Sequence, residues 1–196
     1  YNADVASSGM NPLIHFVRYG LDSNRKFNFG LSFNDFKVFK DTVYSESLFV
    51  DEFYLDQCDC SSLVCPLAHY LAVGWLDGKD PSLLFSTGRY LEYNADVASS
   101  GMNPLVHFVR YGLDSNRKFN FDLSYTQFNK FKDKVIKENL FNQDYYLTVY
   151  SDVPKNHALE HYLAKGYKEG KNPSIFFETN PPTLSVGTSR AITSWI

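Results

Sequence analysis

The sequence predicts an all-α fold, a short solenoid-like array of helical hairpin repeats with two extra amphipathic helices, and three observations support this. Residues 1–29 and 93–121 match at 28 of 29 positions, where only Ile14 and Val106 differ. A nine-residue pattern, P-L-x-H-[FY]-[VL]-x-x-G, occurs four times, and one copy has alanine in place of proline. No stretch alternates apolar and polar residues for long, so strand signals are absent.

The four copies of the nine-residue pattern, which we call the first to fourth templates, are residues 12–20, 66–74, 104–112 and 158–166. Each template is predicted to be a helix. Proline is favoured at the first helical position, and Asn11 and Asn103 are good N-cap residues. The closing glycine, such as Gly74, suits the left-handed residue that ends many helices. Shorter helices are predicted ahead of the last three templates, at residues 53–57, 89–94 and 144–150.

Two amphipathic helices are predicted in inserts at residues 31–46 and 123–138. In the first insert, Phe36, Phe39 and Val43 recur on one helical face, and the second repeats the pattern. The predicted domains are 1–46 (a repeat unit truncated at its start, plus an extra helix), 47–85, 86–138 (a unit plus an extra helix), 139–177, and 178–196 (a linker, a tag or the start of a neighbouring domain). Tyr1 lies inside a repeat, so we expect the chain to be a fragment.

The composition excludes several classes of function. With 19 basic and 22 acidic residues the net charge is −3, which does not suggest a nucleic-acid partner. No apolar run is long enough for a membrane span. Three cysteines close together do not make a disulfide framework, and this favours a reducing compartment.

One histidine recurs in each template, and these four are expected to be structural. Equivalent side chains in successive repeats are too far apart to bind one metal ion. A backbone carbonyl, or the recurring aspartates Asp4, Asp96 and Asp152, are the expected hydrogen-bond partners. The four structural histidines are His15, His69, His107 and His161.

No catalytic constellation, cofactor motif or metal site is predicted. There is no D-x-D pair, no G-x-S-x-G and no H-E-x-x-H. Four soft ligands do occur close together at Cys58, Cys60, Cys65 and His69. Their spacing is unusual for zinc, and they do not recur in the later copy, so ordinary thiols are the preferred interpretation.

Exposed aromatic and basic side chains could bind a sugar polymer. Trp75 and Tyr167 occupy the same position just after a template, although packing is the favoured explanation for their rings. The near-identical segments also agree at polar positions, either through recent duplication or because both bind the same ligand. The candidate glycan-binding residues are Tyr19, Arg25, Lys26, Trp75, Tyr111, Arg117, Lys118 and Tyr167.

Several motifs together resemble the tandem repeats that flank glycosyltransferase domains in bacterial proteins of cell-surface polysaccharide synthesis. The residues that carry the resemblance are Tyr90-Leu91, N-x-D-V-A at 94–98, N-P-L-x-H-F at 103–108, and G-x-x-[DE]-G-K-x-P-S at 74–82 and 166–174. The resemblance covers roughly residues 1–177 apart from the inserts, and residues 57–65 depart from it. It implies an accessory module at the cytoplasmic face of a bacterial membrane.

The expected function is therefore non-enzymatic. The chain would be a spacer that presents a repeated surface to a polysaccharide chain, a partner protein or a glycosyltransferase domain. Two alternatives stay open, namely an integral part of a glycosyltransferase that shapes its acceptor site, and an oligomerisation arm.

Overall fold

The computed structural model describes residues 3–21, 23, 25–58 and 65–179, apart from the side chain of residue 27. The chain divides into two compact units, Tyr1–Asn129 and Lys130–Ile196, and each is described by itself.

Helices make up most of the first unit, and two β-hairpins interrupt them. The elements in chain order are α1 (Ala3–Ser7), α2 (Pro12–Tyr19), β1 (Lys26–Asn28), β2 (Leu31–Ser32), α3 (Phe33–Ser45), α4 (Asp51–Leu55), α5 (Pro66–His69), α6 (Thr87–Tyr93), α7 (Ala95–Ser100), α8 (Pro104–His107), β3 (Lys118–Asn120), β4 (Leu123–Ser124) and α9 (Tyr125–Lys137), whose last residues belong to the second unit. The second unit continues with α10 (Gln143–Val149) and α11 (Ala158–His161).

The prediction of an all-α fold is wrong, because β1 pairs with β2 and β3 pairs with β4 in antiparallel two-stranded sheets. Each hairpin turns at two residues with positive φ, Phe29 and Gly30 in the first and Phe121 and Asp122 in the second. Two successive left-handed residues match the twist of a tight hairpin. The chain therefore mixes helices with small sheets. Strands of two or three residues are too short to show alternation in the sequence.

The predicted amphipathic helices are present as α3 and α9, but each begins two residues later than expected because a strand precedes it. The side chain of Ser32 accepts a hydrogen bond from Asp35 N at the start of α3. At the start of α9, Ser124 and Gln127 bond each other's backbone N–H groups, which is a capping box.

The templates are helical, and the expected asparagine caps are confirmed. Asn11 Oδ1 accepts from the backbone of Leu13 and Ile14, and Asn103 Oδ1 does the same for Leu105 and Val106. The last turn of three templates widens to a π-helix, at Tyr70–Gly74, Phe108–Gly112 and Tyr162–Gly166. In the first template, α2 stays α-helical to Tyr19, although Leu21 N already reaches Phe16 O at 3.1 Å, the bond of a wide turn.

Each of the last three templates packs against two rings from the segment before it. In all three the ring centroids lie 5.2–6.1 Å apart, and tilted or edge-to-face pairs predominate. The three clusters are Phe49, Tyr54 and Tyr70; Phe85, Tyr90 and Phe108; and Phe141, Tyr146 and Tyr162. These clusters form much of the core, and all of their rings except that of Tyr162 are buried.

Candidate functional site

A buried tyrosine hydroxyl contacts the template histidine in each of the last three templates. The tyrosine comes from the helix before the template, and its oxygen lies close to Nδ1 of the imidazole ring. The pairs are Tyr54–His69 at 2.7 Å, Tyr90–His107 at 2.9 Å and Tyr146–His161 at 3.1 Å. The sequence led us to expect a carbonyl or an aspartate as the partner. At Nδ1 of these three histidines the partner is a tyrosine hydroxyl instead, whereas at the first template the expected Asp4 lies 3.9 Å from Nε2 of His15.

The template glycine makes room for this hydroxyl. A Cβ atom on Gly74 or Gly166 would lie far inside van der Waals contact with the hydroxyl of Tyr54 or Tyr146. Neither glycine has a positive φ, so the expectation of a left-handed helix end is wrong at these positions. The left-handed glycines, Gly78 and Gly170, come four residues later, in the loop.

Burial favours the neutral form of two of these pairs, Tyr90–His107 and Tyr146–His161. Desolvation raises the pKa of Tyr90 and of Tyr146 well above the usual range. Desolvation, and then a nearby cation, lowers the pKa of His107 and of His161. A neutral imidazole with Nδ1 bonded to a buried hydroxyl joins two helices, and that nitrogen is not available to a substrate.

A cation follows each template glycine by five residues, and it contacts the segment that leads into the template. Arg117 binds the carboxylate of Asp96 in a two-pronged arrangement, with both bonds at 2.8 Å. Arg25 contacts Asp4, the residue that corresponds to Asp96, through one guanidinium nitrogen. The hydrogen bond from Arg117 lowers the pKa of Asp96. The two arginines predicted to bind glycan therefore already have carboxylate partners within the fold.

The equivalent cations of the other two templates are lysines. Lys171 Nζ lies 2.6 Å from Asp152 and 3.0 Å from Glu169. Lys79 instead donates to the backbone carbonyl of Gln57 at 2.7 Å. The sequence accounts for this difference, since the position that corresponds to Asp152 in the earlier copy is Cys60.

One group of side chains has the spacing of a metal site, but a lysine already occupies it. Ligand atoms of Asp152, His161 and Glu169 lie within 4.8 Å of one another. The ammonium group of Lys171 contacts both carboxylates, and the hydrogen bond from Lys171 lowers the pKa of Asp152. A divalent ion would have to displace this lysine, so the arrangement is better described as a local ion-pair network.

The cysteine cluster is only partly described. Cys60 lies outside the described residues, while Cys58 and Cys65 carry free thiols. In the part of the chain that the structure describes, no group with metal-ligand spacing contains Cys58, Cys65 or His69.

Tyr19 and Tyr111 are the most exposed of the aromatic residues predicted to bind glycan. Each ring lies against its template histidine, with centroids 5.1 Å apart for His15–Tyr19 and 5.2 Å for His107–Tyr111. About half of each side chain faces solvent. The guanidinium of Arg110 lies 5.4 Å from the ring centre of Tyr111. The fold thus places an exposed ring against a template histidine, close to an arginine–aspartate pair, and it does so twice.

The remaining predicted residues are more varied. Trp75 is half-buried, and Tyr167 is exposed with Lys168 Nζ 5.5 Å from its ring centre. Lys118 is exposed and lies 5.5 Å from the ring centre of Tyr93 and 3.5 Å from Asp122. Lys26 is exposed at the start of β1. Of the predicted aromatic residues, Tyr19 and Tyr111 combine high exposure with a ring contact to a template histidine.

Sequence reasoning missed the role of the buried tyrosines Tyr54, Tyr90 and Tyr146. A signal was available, because a tyrosine precedes three of the template histidines by 15, 17 and 15 residues. An aromatic residue also lies five positions before each of these tyrosines. Only the folded chain shows that the hydroxyl, rather than the ring alone, fills the space above the glycine.

None of the helices in the described part of the chain has the length and apolar character that a membrane crossing requires. Comparison with models of protein families, with curated proteins and with solved structures found no match to this chain.

Proposed function

We propose that this chain is a non-catalytic repeat module that binds a sugar polymer through two copies of one surface. The observation that carries the proposal is the exposure of Tyr19 and Tyr111 within two segments of near-identical sequence. The other two templates have Val73 and Lys165 at this position. The ring is therefore not required for a template to fold, and it is present in the two segments whose sequences have stayed the same.

The surface around each ring has the chemistry that a sugar requires. An aromatic face packs against the C–H groups of a pyranose, while arginine, aspartate and imidazole groups exchange hydrogen bonds with its hydroxyls. The Asp96–Arg117 pair is partly exposed and holds its groups in a fixed arrangement. A preorganised surface loses less conformational freedom when a ligand binds.

Two copies of a surface suit a ligand that itself repeats. Once one surface has bound a polymer, the second contact is intramolecular and gains from a high effective concentration. The resemblance to repeats of polysaccharide-synthesis proteins adds the class of polymer, a bacterial surface polysaccharide bound at the cytoplasmic face of the membrane. In this proposal the chemistry of synthesis belongs to another domain, and no residue of this chain is catalytic.

The test is calorimetric titration with bacterial surface polysaccharides selected on a glycan array. Tyr19→Ala or Tyr111→Ala alone should remove the gain from bivalency, roughly 100-fold in apparent affinity. The double variant should bind at the limit of detection. A short oligosaccharide that reaches only one surface should bind the two single variants equally.

Val73→Ala is the matched control, because Val73 occupies the same template position and is also exposed. It should leave binding unchanged, and circular dichroism should show that every variant keeps its helices. The proposal fails if the intact chain binds none of the polysaccharides, or if the double tyrosine variant binds as tightly as the intact chain.

A further inference from the structure

Two helices of nearly the same sequence differ in burial. In α8 and its extension, Leu105 is 0% exposed and Val106 is 2% exposed. In α2, the equivalent Leu13 is 70% exposed and Ile14 is 50% exposed. The sequences around both helices are the same, so the difference must come from what packs against them.

Residues 84–94 cover the third template. Phe85 and Tyr90 pack on Phe108, with centroids 5.2 and 5.5 Å away. The Tyr90 hydroxyl reaches His107, and the carbonyl of Leu84 accepts a hydrogen bond from the buried side chain of Asn120 at 2.9 Å. This one segment therefore contacts the template, its histidine and the hairpin that follows.

The first template has a groove on the equivalent face. The groove has a volume of about 660 Å³ and is lined mainly by apolar groups. The lining residues that the argument uses are Val5, Met10, Leu13, His15, Phe16 and Gly20. Asn28, which corresponds to the buried Asn120, is exposed. The three groups contacted by Leu84, Phe85 and Tyr90 in the third template are thus repeated here, as His15, Phe16 and Asn28.

We propose that this groove is the seat of a tyrosine-bearing helix like α6, supplied by a further repeat unit of the same polypeptide. The occupant carries an aromatic residue, then tyrosine five positions later, then leucine, as Phe85, Tyr90 and Leu91 do. Its ring covers Phe16 and Leu13, and its hydroxyl reaches Nδ1 of His15 beside Gly20. The third template, whose sequence is nearly identical, already has such a helix packed on it, and this supports the same occupant for the first template. It does not depend on the proposed glycan binding.

The direct test is to graft residues 84–92 in front of Tyr1, so that the added segment runs into the first template as it does into the third. Hydrogen exchange followed by mass spectrometry then reports on the amides of residues 13–20. Their exchange should slow by about tenfold or more on grafting. A graft that carries Phe85→Ala and Tyr90→Ala should give no such protection.

Leu13→Glu supplies the control on the groove itself. Because Leu13 is exposed, this change should leave the ungrafted chain as stable as before, and it should cancel the protection that the graft gives. The proposal is overturned if the intact graft leaves exchange of residues 13–20 unchanged. It is also overturned if the ungrafted chain forms a dimer in the ultracentrifuge that Leu13→Glu dissociates, because the occupant would then be a second copy of the chain.

Discussion

The first and third templates share their N-cap, their helical start and the register of the hairpin that follows, but they have different surroundings. Both begin at a proline capped by asparagine, and both lead into a hairpin with the same register. Both end near a paired arginine, Arg25 in one and Arg117 in the other. Among the residues that the structure describes, a tyrosine-bearing helix packs on the third template and none packs on the first. Local sequence is therefore sufficient for the caps, the helical start and the turn. Burial of the template depends on the segments that pack on it, which for the third template include α6 and α3.

The difference predicts unequal costs for the same substitution at equivalent positions. Leu105→Ala should lower the free energy of unfolding by about 2–5 kcal/mol, because it removes a fully buried side chain. Leu13→Ala should change it by less than about 0.5 kcal/mol, since Leu13 faces solvent. Urea denaturation of the two variants makes the measurement, and equal losses would show that the two templates are buried alike.

The second largest effect should come from filling the space that the template glycine leaves. Gly74→Ala forces a Cβ atom against the Tyr54 hydroxyl and should cost about 1–3 kcal/mol, as overpacking does. Combining it with Tyr54→Phe removes the clashing oxygen, so the double variant should lose less than the sum of the two single changes. Thermal unfolding of all three variants completes the cycle.

Gly78→Ala separates this effect from a general intolerance of alanine in place of glycine. A Cβ atom at Gly78 has open space around it, and the cost there comes from the positive φ of the residue instead. Tyr54→Phe should therefore give no rescue of Gly78→Ala. If Tyr54→Phe rescues neither glycine variant, then Gly74 is not required in order to make room for the Tyr54 hydroxyl.

A smaller effect should appear in the dependence of stability on pH. Burial holds the pKa of His107 and of His161 below the usual value, so the unfolded chain takes up these protons first as the pH falls. Stability should therefore decrease as the pH is lowered below about 6.5, the ordinary pKa of histidine. Carboxylates held by cations, such as Asp96, should contribute only below about pH 4.

His161→Gln should flatten this pH dependence in part, because it removes one of three histidines, His107, His157 and His161, whose pKa burial lowers. Urea midpoints at pH 7, 6 and 5 for both proteins test the prediction. An intact chain whose stability rises as the pH falls over this range would contradict the neutral tyrosine–histidine pairs.

The sequence was informative where a single segment determines the structure. Helix periodicity, the proline and asparagine of the templates, and the recurrence of Phe36 and Phe39 all predicted real helices. The hairpins were missed, because a strand as short as Leu31–Ser32 carries no periodic signal. The sequence predicted a left-handed backbone conformation for the template glycine. The observed role of the glycine depends on a tyrosine hydroxyl from another helix, and the local spacing of residues does not reveal that contact.

The candidate surface was predictable only in part. Exposure of Tyr19 and Tyr111 agrees with a role as ring platforms, a role that stays a prediction. Arg25 and Arg117 were selected for their charge, and their aspartate partners lie 21 residues away in the chain. Charge can be read from a sequence, whereas the identity of the group that neutralises it depends on the folded chain.

Hydrogen exchange in the first and third templates of the unmodified chain tests the central claim most directly. Residues 12–20 and 104–112 differ only at Ile14 and Val106, so the two segments have nearly equal intrinsic exchange rates. The extra methylene of isoleucine distinguishes the two peptides by mass. If burial depends on the preceding helix, amides of residues 105–112 should exchange more slowly than those of residues 13–20, by about tenfold or more. Equal protection in the two segments would contradict the claim that the preceding helix, and not the template sequence, determines burial.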